Sequence, residues 1–160
     1  MSTYRGIVMA AAIGNKRPES VLVVIFTTGG EALLLKRTDH RAFWQSVTGS
    51  LEWDENDRLA AAKREVFEET GIVVTGGWRD WERQNRFEIF PEWRHRYPAG
   101  ITHNTEHVFS LELPGRVGVR LHAREHEDYR WVYFPEAVAQ ATSSTNRWAL
   151  KALQDERGFH

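Results

Sequence analysis

The stretch from Arg64 to Ile72, REVFEETGI, carries three glutamates, Glu65, Glu68 and Glu69. At about 100° per residue the three fall within one sector of a helix. Like charges one turn apart repel by a few tenths of a kcal/mol, so a helix that keeps them needs a counter-charge. Lys63 and Arg64 would supply it on a solvated face, and the cluster would then be ordinary surface. Hard, oxygen-seeking cations such as Mg2+ would also supply it, since they bridge carboxylates and substrate phosphates. Leu59, Ala62 and Val66 centre on a neighbouring sector, which puts the acids beside the buried face and not opposite it. Spacing alone leaves both readings open.

The rest of the chain limits what could hold such a helix. Its 160 residues, 41% hydrophobic and 27% charged, describe an ordinary soluble globular protein with a single domain over residues 1–160. With 21 basic and 22 acidic residues there is no overall field to attract nucleic acid or a membrane surface, so neither is an expected partner. The absence of cysteine excludes disulfides, thiolate metal sites and cysteine nucleophiles. No apolar run approaches the roughly 20 residues that span a bilayer. The opening YRGIVMAAAIGNKRP has a signal-peptide flavour, but its apolar part is short and its basic region thin. Residues 1–15 are read as a flexible tail and the protein as cytoplasmic. Whether it is a monomer or a homodimer is not legible.

SVLVVIF (Ser20–Phe26) is a continuous β-branched run that suits a strand buried on both faces. TTGG then turns the chain into EALLLKR (Glu31–Arg37), a hairpin partner, and SVTGSLEW reads as a short strand broken at Gly49. From Asp57 to Thr70 the period is helical, and Gly71 stops it. Further strands are predicted at IVV after Gly71, at RFEIF (Arg86–Phe90), at EHVFSLEL (Glu106–Leu113) and near YRWVYF. A long polar loop separates the second and third of these. SSTNRWALKALQDERG reads as a capped C-terminal helix ending at Gly158. The sum is a mixed α/β domain.

The span GSLEWDENDRLAAAKREVFEETGI (Gly49–Ile72) closely resembles the Nudix box, G-x5-E-x7-R-E-U-x-E-E-x-G-U. Arg64, Glu65, Val66, Glu68, Glu69, Gly71 and Ile72 match its second half position for position. Gly49 and Glu55 match the first half, with one extra residue between Glu55 and Arg64, expected near Asn56–Leu59. Outside the box, FWQSVTGS, FEIF, RHRYPAGITHNTEH and SSTNR resemble the bacterial dihydroneopterin triphosphate diphosphatases of that family.

The resemblance implies a Nudix-type α/β/α sandwich with a mixed central sheet. It also implies hydrolysis of dihydroneopterin triphosphate to dihydroneopterin monophosphate and pyrophosphate, with Mg2+ as cofactor and Mn2+ as a substitute. Glu65 and Glu69 become the first metal ligands, with the Gly49 carbonyl beside them. Glu68 is a further ligand or a water-positioning group, and Arg64 clamps one of the glutamates. Glu125 is the implied third carboxylate, with Glu127 and Asp128 as competitors. Lys16, Arg37, Thr48 and Ser143 are the implied substrate contacts. In FEIF (Phe87, Glu88, Ile89, Phe90) a phenylalanine could stack on a pterin while Glu88 pairs with its amino edge; a plain core strand would look the same. Ordinary purine triphosphates such as dATP are the rival substrates. A nucleotide-sensing Nudix module that does not cleave its ligand is a third reading, which the full acidic set disfavours. No nucleophile elbow accompanies the seven histidines, which argues against a serine hydrolase.

Overall fold

The computed structural model describes residues 15–39 and 42–160. The predicted tail, apart from Asn15, lies outside the described residues, as do two positions of the TDHRAFWQ loop. The strands are β1 (Glu19–Thr27), β2 (Glu31–Arg37), β3 (Trp44–Gln45), β4 (Val47–Ser50), β5 (Trp78–Glu88), β6 (His103–Leu113) and β7 (His126–Tyr133). The helices are α1 (Arg58–Thr70), α2 (Phe134–Gln140) and α3 (Ser144–Arg157), with a 3-10 helix at Pro91–Arg96. Among the described residues no helix is long and apolar enough to cross a membrane.

The sheet runs β3-β2-β1-β6-β5, with β4 also paired to β1 and β7 to β2. Only β1 and β6 run parallel; the other pairs are antiparallel, so the sheet is mixed as expected. The predicted hairpin forms, with Phe26 opposite Ala32. β1 is buried along eight of its nine residues because both its faces are covered. Val21, Val23 and Ile25 pack with Ala61, Ala62 and Val66 of α1. Leu22, Val24 and Phe26 pack on the other face with Phe134 of α2 and Leu150 and Leu153 of α3. Each such side chain, fully buried, contributes about 1.5–3 kcal/mol. The layers are α/β/α.

α1 is bounded by local chemistry. Asp57 is its N-cap and accepts from the Ala60 N–H at 3.1 Å. Gly71 ends it at φ 75°, a left-handed turn that a side chain would oppose, and donates to the Phe67 carbonyl at 2.8 Å.

Two predicted strands are corrected. IVV forms none: Ile72 and Val74 are spent filling the core beneath α1, and the Ile72 N–H turns back to the Thr70 hydroxyl. The pairing strand starts later, at Trp78. Nor does Gly49 break its strand, since β4 runs through it, pairing Gly49 with Val21 and Ser50 with Ser20.

Candidate active site

The fourteen first-choice metal, catalytic and substrate residues named above all line one cleft of about 670 Å³. α1 presents the acids to it. Arg64 is the hub of that end. Its Nε and Nη2 donate to the two oxygens of Glu55 at 3.0 and 2.7 Å, and Nη2 also reaches the Ser50 carbonyl at 3.1 Å. Its Nη1 donates to Glu65 at 2.9 Å and to Glu68 at 2.7 Å. A guanidinium suits this task because its donors form a planar fork matched to carboxylates. Arg64 therefore holds three carboxylates, where the sequence suggested one. Its hydrogen bond to Glu55 keeps that carboxyl below its ordinary pKa. With the extra residue in the box, Glu55 still keeps Arg64 as its bidentate partner.

Glu65 is buried, and burial pushes its carboxyl up to about 8; Arg64 opposes the shift, while Glu68 and Glu69 add to it. Gly49 explains how it fits. A Cβ there would lie 2.0 Å from the Glu65 carboxyl carbon, so only glycine lets the carboxylate rest against β4. Glu69 is also buried and accepts from His126 Nδ1 at 2.7 Å. His126 Nε2 lies 3.0 Å from the Gln45 amide nitrogen. That amide can only donate, so Nε2 accepts and the imidazole proton sits on Nδ1, aimed at Glu69.

Glu125 lines the cleft from the turn before β7. Its competitors face elsewhere: Glu127 pairs with Lys36 at 3.3 Å and Asp128 accepts from its neighbour's N–H. Among the described residues no three His, Asp or Glu side chains stand close enough together to enclose a metal ion. The donor set is oxygen only, crowded with negative charge and in part desolvated, which fits a hard divalent cation.

Cations stand beside the acids. Lys16 is partly buried, and burial lowers its pKa first, followed by the nearby Arg96 and Arg37; Glu125 and Glu65 pull the other way. Arg37 is forked onto Asp39 at 2.8 and 2.6 Å and lies 4.4 Å from the centre of the Trp93 ring. Thr48 lines the cleft from β4. Ser143 is the N-cap of α3, accepting from Asn146 N–H at 3.2 Å, so it is a helix cap that also borders the cleft.

The aromatic part comes from Phe43, Phe90 and Trp93, whose ring centres lie 5.1–6.3 Å apart. The structure parts the two halves of FEIF. Phe87 pairs with Asn104 and Glu88 with His103, so the two side chains take opposite faces of β5. Glu88 is two-thirds exposed and 3.5 Å from Arg94. Ile89 is buried, and its carbonyl accepts from Arg94 at 3.0 Å. Sequence reasoning missed Gln45, His126, Trp93 and Arg96, and also Asn104 and Glu106 on the far wall. Gln45, Arg96, Asn104 and Glu106 lie in the segments that carry the family resemblance, and Trp93 follows FEIF by three residues; His126 meets Glu69 across 57 residues, and no local pattern announces that.

A family model described as NUDIX domain matches residues 16–153. The chain is 44% identical over 140 residues to the dihydroneopterin triphosphate diphosphatase of Escherichia coli K12, covering 85% of this chain and 91% of that protein. It is 39% identical to the protein of that name from Haemophilus influenzae, covering 85% and 87%. The solved E. coli dihydroneopterin triphosphate pyrophosphohydrolase superposes with a TM-score of 0.81 at 42% identity, covering 89% of this chain and 98% of that one.

Proposed function

The chain belongs to the Nudix family, and from that premise we propose that it hydrolyses dihydroneopterin triphosphate to dihydroneopterin monophosphate and pyrophosphate. The observation that carries the proposal is the cleft itself. It joins the acids of α1 to flanking cations and to a set of rings, as a substrate with a charged tail and a flat head requires. The 16–153 match supports reading the chain as one Nudix domain.

Glu65, Glu69, Glu125 and the Gly49 carbonyl would hold a divalent metal ion; Mg2+ suits these hard oxygens, with Mn2+ as a substitute. Bound there, such an ion supplies charge neutralisation for the phosphates and a lowered pKa for water. Arg64 fixes the glutamates so that little reorganisation accompanies the reaction. His126 orients Glu69 from behind, as outer partners of metal-binding carboxylates do. Glu68, held on its Arg64 side and partly exposed, is placed to orient an attacking water. Lys16 and Arg37 bind the triphosphate, and Arg96 adds to their field. Thr48 and Ser143 offer hydroxyls to the same tail. Phe87 and Phe90, the latter against Trp93, flank the ring, and Ile89 backs them.

The test is release of pyrophosphate from dihydroneopterin triphosphate with Mg2+ present and after chelation. Metal-dependent release with the monophosphate as co-product is expected. A protein that binds the triphosphate and leaves it intact would be a sensor, and the proposal would be wrong.

A further inference from the structure

One wall of the cleft is built from polar side chains for which the hydrolytic chemistry has no use. Asn104 and Glu106 stand two residues apart on β6, hence on the same face and about 6.6 Å apart along the strand. Register sets Phe87 of β5 beside Asn104, and Ser20 of β1 beside Glu106. Both side chains line the cleft, yet Asn104 is only 3% exposed and Glu106 only 5%. The Asn104 amide nitrogen donates to the Ser20 hydroxyl at 2.7 Å, which leaves its oxygen as an acceptor. Among the described residues that oxygen has no hydrogen-bond partner, and neither does Glu106 Oε1. The Thr145 and Asn85 side chains hydrogen-bond toward the Glu106 carboxyl and offset its burial only in part.

Buried acceptors without donors are costly and rare in folded proteins. Two of them facing one cleft define a ligand that brings N–H groups. We propose that Glu106, with Asn104 beside it, determines specificity for the heterocycle by accepting hydrogen bonds from an edge made of an amino group next to a ring N–H. A 2-amino-pyrimidinone has that edge, whether in a pterin or in guanine. Adenine sets its amino group beside a bare ring nitrogen, which would meet the carboxylate lone pair to lone pair. Phe87, on the same face as Asn104, is placed to stack on the ring so held. Glu88 lies on the opposite face with Arg94 and is the rival carboxylate.

The inference rests on the cleft being the site of triphosphate hydrolysis proposed above, and the test separates the two. GTP and ITP differ only in the 2-amino group, so their kcat/KM ratio reads the edge without any pterin. The parent should favour GTP over ITP at least tenfold. Glu106→Gln, which puts a donor where an acceptor was, should collapse that ratio toward one. It should also lower kcat/KM on dihydroneopterin triphosphate at least tenfold more than on ATP. Glu88→Gln should leave the GTP to ITP ratio in place. A parent that does not distinguish GTP from ITP overturns the inference without any variant, and so does a ratio that moves with Glu88 and not with Glu106. If the parent cleaves GTP but not dihydroneopterin triphosphate, the proposed substrate falls while the edge is still tested.

Discussion

Arg64 gathers Glu55, Glu65 and Glu68 from within nine residues of itself. At the opposite wall, Asn104 reaches Ser20 across 84 residues, and neighbouring Asn146 reaches Ser46 across 100. The acidic end is local in sequence and dense in ion pairs. The far wall is assembled from β1, β5, β6 and the start of α3, and it holds two buried acceptor oxygens, Asn104 Oδ1 and Glu106 Oε1, with no partner among the described residues. The first arrangement can be inherited as a motif, because one helix and its entry loop carry nearly all of it. The second can be altered one strand at a time. On the proposals above the acidic end carries the reaction and the other wall the choice of substrate, and each half can be broken separately.

The largest effect is expected at Glu69. Glu69→Gln keeps the size of the side chain and an acceptor for His126, and removes one of the clustered charges. Turnover should fall by about a thousandfold or more on every substrate alike, because a ligand is lost where transition-state charge is stabilised. The metal-free melting temperature should stay level or rise slightly, since repulsion with Glu65 and Glu68 is relieved. Added Mg2+ should raise it less than in the parent. A variant that melts early yet turns over normally would make the acids part of the scaffold.

Gly49→Ala should come next. The added methyl would lie 2.0–2.3 Å from the Glu65 carboxyl atoms, and a flexible side-chain end can move aside, so the fold should survive. Glu65 should not keep its place against β4. The Mg2+ concentration for half-maximal rate should rise by about tenfold or more, with substrate preference unchanged. A changed preference at Gly49 would blur the division between the two halves.

How much of this was legible follows the same contrast. The box could be read because a helix returns to one face every three or four residues, so Arg64, Glu65, Glu68 and Glu69 announce their proximity along the chain. Asn104 and Glu106 could not be, because a strand's partners are set by pairing and not by spacing. Both fall in the RHRYPAGITHNTEH segment that carries the family resemblance, and Glu106 also opens the predicted EHVFSLEL strand, but the pattern gives neither a role of its own. β5 shows the limit most plainly. Its first residues, WRDWERQN, are largely polar and exposed on a sheet edge, so the apolar IVV nearby drew the strand assignment. FEIF offers Phe87 or Phe90 to stack while Glu88 pairs with the ring edge, and the strand puts Phe87 and Glu88 on opposite faces.

The smallest expected effect is one of stability against pH. Burial raises the Glu106 carboxyl to about 7, from the ordinary 4.5. The native protein then holds that proton more tightly than the unfolded chain does. The stabilisation is complete below about pH 4.5 and is lost as pH climbs through about 7. The loss is at most about 3 kcal/mol. Glu106→Gln cannot titrate, so without metal its melting temperature should gain on the parent's by several degrees between pH 5 and pH 8. Glu65, raised to about 8, is common to both proteins and cancels. A gap that stays constant with pH would mean that Glu106 ionises freely and is no part of a dry wall.

The most direct test of the division is a competition. Equal concentrations of dihydroneopterin triphosphate and dATP are mixed with the parent enzyme and Mg2+, and both are followed by phosphorus NMR. The ratio of their disappearance gives the ratio of kcat/KM. Pyrophosphate and dihydroneopterin monophosphate should appear first, with dATP consumed only as the pterin runs out. Preferential loss of dATP would contradict the account, because the wall that carries Glu106 and Asn104 would not then be selecting a pterin.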